Sequence, residues 1–173
     1  MSCLMKWPGH IPSGTTTDTM LMSIDILPTL ARVIGGKLPD HRIDGLDCWP
    51  VICGEREAKN PHDFYAYYYQ NNQLQAIVSG DGRWKLQLPH AYNSLPTGQP
   101  AATGGKPVLY NVKRIENAEL YDLYADISES RNLAEQQPQE VTKLQKYAQE
   151  IRADLGDSLK KMPRGSGTRE AGK

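Results

Sequence analysis

Nucleophiles, metal ligands and acid–base groups are sparse in this chain, and the setting of each limits what it can do. Cys3, Cys48 and Cys53 are an odd number without C-x-x-C spacing, so neither a disulfide framework nor a zinc site is indicated. A reactive Cys48 would need an electropositive setting, and a small buried thiol is the commoner state. Asp44 and Asp47 lie about Gly45, an arrangement read as a turn whose carboxylates bond local amides in preference to a metal loop. No metal site is therefore expected. His10 follows the Pro8-Gly9 turn, while His90, Tyr92 and Asn93 open a long irregular stretch. An imidazole serves as acid or as anion contact, and only geometry separates the two. Tyr65, Tyr67, Tyr68 and Tyr69 could stack on sugar rings, which would make the chain a carbohydrate-binding module. Alternation instead puts Tyr65, Tyr67 and Tyr69 on one face and Phe64 and Tyr68 on the other, as for a sheet between a helix and a neighbouring domain. No nucleophile, base and oxyanion arrangement can be assembled, so no catalytic residue is expected in the chain itself.

The elements that must position these groups follow from periodicity. Residues 3–7 are mostly apolar and close on Pro8-Gly9, which reads as a strand entering a turn. Ser23 precedes Ile24, Leu27, Leu30, Ala31 and Ile34, apolar at helical spacing, with Gly35-Gly36 as the stop. Residues 64–69, 74–78 and 83–88 are short runs rich in aromatic and β-branched residues separated by turn signals, and 119–123 supplies a fourth. Residues 89–117 contain Pro96, Pro100, Gly104-Gly105 and Pro107 and are expected to be irregular. Pro138 opens a helix with Val141, Leu144, Tyr147, Ala148, Ile151 and Leu155 on one face, ended by Gly156. The expected fold class is α+β. A residual strand and helix of an α/β domain (residues 1–40) leads through a connecting loop (41–63) to a small antiparallel four-stranded sheet packed by a C-terminal helix (64–159). A loosely ordered tail (160–173) ends the chain.

Composition narrows the partners. The 173 residues are 39% hydrophobic, enough for one ordinary core and a small second one. Lys and Arg equal Asp and Glu at 20 each, so no summed field attracts nucleic acid or an anionic membrane surface, and no apolar run approaches a membrane span.

Specific residues on these elements carry a family resemblance. Trp7-Pro8-Gly9-His10-Ile11-Pro12-Ser13-Gly14 followed by Ser23-Ile24-Asp25-Ile26-Leu27-Pro28-Thr29 resembles sulfatases of the arylsulfatase A type, in the alkaline-phosphatase-like superfamily. In that family a W-P-G-x-I-x-x-G turn leads into an S-x-D-x-x-P-T helix. Asp44-Gly45-Leu46-Asp47 is similar to the family's D-G-x-D loop and Gly82-Arg83-Trp84-Lys85 to its G-x-[WY]-K strand. Leu120-Tyr121-Asp122-Leu123 with Asp126, Glu129, Asn132 and Leu133 resembles its L-Y-[DN]-L-x-x-D-x-x-E-x-x-N-L signature. Five ordered motifs cover nearly the whole chain.

The resemblance implies a C-terminal portion of a sulfuric ester hydrolase. Members attack sulfate sulfur with a formylglycine made from a C/S-x-P-x-R motif and supported by calcium, both expected upstream in the intact parent and not in this chain. Cys48-Trp49-Pro50-Val51-Ile52 begins as C-x-P but carries Ile52 where the motif requires arginine. The chain alone is thus expected to be inactive, contributing pocket rim and domain stability. His90, Tyr92, Asn93 and His10 are the substrate-binding candidates, His90 resembling a leaving-group contact. The implied partners are the missing N-terminal sulfatase domain and a sulfated small molecule or glycan. A carbohydrate-binding module, or an oligomerisation module that self-associates through exposed apolar surface, is the alternative, non-catalytic reading. A periplasmic or secreted parent is what the resemblance suggests.

Overall fold

The computed structural model describes residues 3–96 and 108–168. In chain order these form a 3-10 turn at Ser23–Asp25, α1 (Ile26–Ile34), α2 (Trp49–Ile52), β1 (Phe64–Tyr69), β2 (Gln73–Ser79), β3 (Trp84–Gln87), β4 (His90–Ser94), β5 (Asn111–Ile115), β6 (Glu119–Asp122) and α3 (Pro138–Leu155). A second 3-10 turn follows at Ser158–Lys160. Two compact units result: Met1–Tyr65 with Ser79–Arg83, and Ala66–Val78 with Trp84–Lys173.

In the first unit α1 forms where the spacing predicts, and Gly35 ends it at φ 65°, the left-handed conformation that glycine reaches without strain. Its polar side is the anchored one. Asp25 and Thr29 are buried, and the Thr29 hydroxyl accepts the Cys48 amide at 2.9 Å. Gly45 approaches the Ile24 backbone so closely that a Cβ there would collide with the Ile24 carbonyl. Of the predicted apolar stripe only Ala31 is buried, whereas Leu27, Leu30 and Ile34 are exposed. No strand forms over residues 3–7. A strand persists only where a neighbour takes up its backbone hydrogen bonds, and here the Trp7 carbonyl instead accepts the amides of His10 and Ile11 in a turn. Residues 41–63, expected to be loop throughout, contain α2, whose Pro50 is tolerated in the first turn.

The second unit is built on an antiparallel sheet of order β1-β2-β3-β6, the four strands expected from sequence. Because directly opposed residues share a face, the register Lys85↔Tyr121, Leu86↔Leu120, Gln87↔Glu119 sorts the ladder. Leu86 and Leu120 lie on one side, and Lys85, Gln87, Glu119 and Tyr121 on the other. The apolar side is core. Leu86 and Leu120 are fully buried, as are Leu144 and Ala148 of α3, which contacts β3. Each of the three leucines contributes about 2 kcal/mol of burial.

Two further expectations are corrected. Residues 89–117 are not irregular throughout, because β4 and β5 pair as a separate antiparallel ribbon; positions 97–107 lie outside the described residues. The expected loose tail folds back as far as Thr168. The amides of Ser166 and Gly167 bond the carbonyls of Ala153 and Asp154, and Asp157 bridges Met162. Positions 169–173 lie outside the described residues.

Candidate functional site

The solvent-facing side of the β3/β6 ladder and the β4/β5 ribbon line a cleft of about 440 Å3 within the second unit. Three elements set its charge. Lys85 of β3 donates to Oε1 of Glu129 at 2.6 Å, and Gln87, two residues along the same face, donates to Oε2 at 3.0 Å. Glu129 sits in the loop after β6 at φ 53°, a conformation unusual for a residue with a Cβ. On β6 the Tyr121 hydroxyl donates to Oε2 of Glu119 at 2.6 Å. Burial, followed by that hydrogen bond and the charges of Glu119 and Glu129, pushes the Tyr121 phenol well above its ordinary range. Tyr121 is therefore a neutral donor at any physiological pH.

The ribbon adds His90 and Tyr92, with ring centroids 6.0 Å apart. His90 is buried and its Nδ1 lies 2.6 Å from the Leu88 carbonyl. A carbonyl can only accept, so Nδ1 donates to it, and that bond fixes the orientation of the ring. Tyr92 is 40% exposed, as is Tyr67 of β1 at 48%, and the Lys85 ammonium stands 5.8 Å from the Tyr67 ring centre.

Of the four residues singled out from sequence, His90 and Tyr92 share this cleft. Asn93 does not line it: one position further along β4, it falls on the opposite face of the ribbon, paired with Val112. His10 belongs to the first unit, stacked on Trp7 at 4.1 Å beside Trp49. There Trp7, His10, Arg32, Trp49 and Glu55 border a second recess. Lys85, Gln87, Glu119 and Glu129 were not singled out as site residues. The signal available was the alternation of polar Lys85 and Gln87 around Leu86 within the motif strand.

The remaining chemical candidates are structural. Cys48 is buried, and burial together with the Asp25 carboxylate pushes its thiol up to about 12. It is not a nucleophile near neutrality. One Asp47 oxygen accepts the Trp49 amide at 2.9 Å, and the other pairs with the Arg32 guanidinium. Both oxygens thus help to hold the loop. Among the described residues no group of three or more His, Cys, Asp or Glu is placed to hold a metal ion, and no helix is long and apolar enough to cross a membrane.

Comparison with known proteins accords with these features. The family described as the C-terminal region of aryl-sulfatase matches residues 60–170, and that described as N-sulphoglucosamine sulphohydrolase, C-terminal, matches residues 1–87. Arylsulfatase A of Bos taurus is 30% identical over 132 residues, 75% of this chain and 25% of its own length. The ulvan-active sulfatase of Formosa agariphila is 30% identical over 143 residues, 75% of this chain and 28% of its own. A Bacteroides thetaiotaomicron 6S-sulf structure, from a locus for the metabolism of multiple glycosaminoglycans, superposes with a TM-score of 0.51 at 26% identity. That match covers 74% of this chain and 24% of the other. The chain spans about a quarter of the length of the relatives it matches.

Proposed function

Because the chain belongs to the sulfatases, matching their C-terminal region, we propose that it completes a sulfate-ester hydrolase, forming part of the substrate-pocket rim and bracing the large domain. The observation that carries this reading is the β3/β6 cleft with His90 at its edge. It holds fixed hydrogen-bonding groups and a buried imidazole, but no nucleophile. Nε2 of His90 accepts a hydrogen bond from a substrate hydroxyl. The role of His90 in this reading is a hydrogen-bond contact on the leaving-group side of the substrate rather than attack on sulfur.

In this reading the formylglycine and the calcium belong to sequence that the relatives have and this chain does not span. The sulfur chemistry is supplied there, and no step of it is routed through the residues described here. The exposed Leu27, Leu30 and Ile34 of α1 support an N-terminal sulfatase domain as the protein partner, since such a stripe is normally covered. The substrate class is a sulfated small molecule or glycan, and a periplasmic or secreted setting goes with it.

The test is turnover of a chromogenic aryl sulfate with calcium, by this chain alone and by the chain mixed with a matured N-terminal sulfatase portion. Activity in the mixture only is the expected result. Turnover by the chain alone would overturn the assignment of roles, and a silent mixture would overturn the completion of an active enzyme.

A further inference from the structure

The β3/β6 cleft is equipped for hydroxyl groups and poorly equipped for a sulfate or a fused hydrocarbon ring system. Resting on the reading that this chain forms part of a substrate pocket, we propose that the cleft holds a sugar ring that does not itself carry the scissile ester. The natural substrate is then a sulfated glycan rather than a sulfated sterol.

Charge argues first. The Lys85 ammonium is matched by Glu129 at 2.6 Å, and Glu119 adds a second carboxylate whose partner, the Tyr121 hydroxyl, is neutral. A sulfate entering the cleft meets two carboxylates and a single cation already engaged. Lys113 stands opposite Tyr92 in the ribbon and is exposed, so it offers a cation to a sulfate held outside the cleft.

Shape and polarity argue second. Two half-exposed aromatic rings, Tyr67 and Tyr92, stand beside planar amide and carboxylate groups, Gln75, Gln87 and Glu119. A pyranose presents an apolar face to a ring and equatorial hydroxyls to such groups. The Gln87 amide donates to Glu129, which leaves its carbonyl oxygen to accept from a hydroxyl. A sterol in the same place would strip water from Lys85, Glu119 and Glu129 and return no hydrogen bonds, the costly outcome for buried polar groups. The volume of about 440 Å3 lies within the range of small-molecule sites.

The experiment is an amide-resolved NMR titration of the chain with three probes: N-acetyllactosamine, inorganic sulfate and a steryl sulfate. N-acetyllactosamine is expected to shift the resonances of Gln87, Glu119 and Tyr121, with the other two leaving them in place. Tyr67→Ala should weaken the sugar at least fivefold, while Tyr69→Ala, an exposed ring on the same strand that does not line the cleft, should not. The proposal is overturned if the sugar leaves these resonances unmoved, or if sulfate or steryl sulfate moves them as strongly. It fails independently of the enzyme assignment, since a silent titration beside an active complemented mixture would sink the glycan inference alone.

Discussion

Nε2 of His62 lies 2.7 Å from Oδ1 of Asp25, joining residues 37 positions apart with both side chains almost fully shielded from water. The same carboxylate accepts the amides of Met22 and Leu46, each at 2.9 Å. One side chain thus ties together the turn before α1, the loop carrying Gly45 and the approach to β1. Burial raises the Asp25 pKa, but the Leu46 amide, His62 and the Met22 amide together outweigh it and hold the carboxyl below its ordinary value.

A depressed carboxyl contributes stability that is present above its unfolded pKa of about 3.9 and is lost as pH falls through the lower folded value. Asp25→Asn is therefore expected to cost about 3 kcal/mol at pH 7. Its deficit against the parent chain should shrink as the pH drops below about 4. Urea unfolding followed by tryptophan fluorescence at pH 7 and pH 3 measures it. An equal deficit at both pH values contradicts the linkage.

The three cysteines should separate by reactivity. Cys3 is exposed and Cys53 partly so, whereas Cys48 is buried with its thiol pushed up to about 12. Alkylation at pH 8 of the native chain is expected to modify Cys3 first, Cys53 more slowly because burial and the Glu55 carboxylate push its thiol up, and Cys48 only on unfolding, read by peptide mass. Rapid native labelling of Cys48 would mean that its thiolate is stabilised by something beyond the groups that surround it.

The exposed side of α1 invites substitution without harm to the chain itself. Leu30→Asp and Ile34→Asp should change its own stability by less than about 0.5 kcal/mol, as surface changes do. They should abolish turnover in the complemented mixture. Retained turnover would remove α1 from the domain contact, and a lowered unfolding midpoint of the isolated chain would show that the stripe is packed within it.

How much of this was legible depends on the range of the contacts. The α3 face and the four strands around Leu86 and Leu120 are local periodicities, and periodicity survives in sequence. The β4/β5 ribbon is not local: His90 pairs with Ile115 across an intervening Pro- and Gly-rich stretch, so neither half announces its partner. Had β4 been recognised, alternation alone would have kept His90 with Tyr92 and set Asn93 on the other face. Lys85 and Glu129 belong to separate sequence motifs. Their meeting across 44 positions is a tertiary fact that spacing does not encode.

Asp157 should prove the least replaceable side chain of the second unit. It is fully buried, accepts the amides of Leu74 and Leu159, and pairs with Arg152 Nε at 2.8 Å. Asp157→Ala leaves those donors and the guanidinium without their acceptor, at a cost of about 3 to 5 kcal/mol. A chemical-denaturation midpoint close to that of the parent chain would contradict this.

Glu129 connects stability to ligand choice. Its backbone is held at φ 53° and its carboxylate receives both Lys85 and Gln87, so the loop is kept in an uncommon conformation by side-chain bonds to β3. A double-mutant cycle with Lys85→Met and Glu129→Gln is expected to give a coupling of about 1 kcal/mol, reduced at high salt, because both side chains keep some contact with solvent. The single change Glu129→Gln has a second consequence. It removes the charge that matches Lys85 and leaves Glu119 as the cleft's remaining lining carboxylate, so inorganic sulfate should now shift the Gln87 and Tyr121 amides where it does not in the parent chain. If sulfate binds the parent and Glu129→Gln equally, charge matching by Glu129 is not what keeps anions out of the cleft.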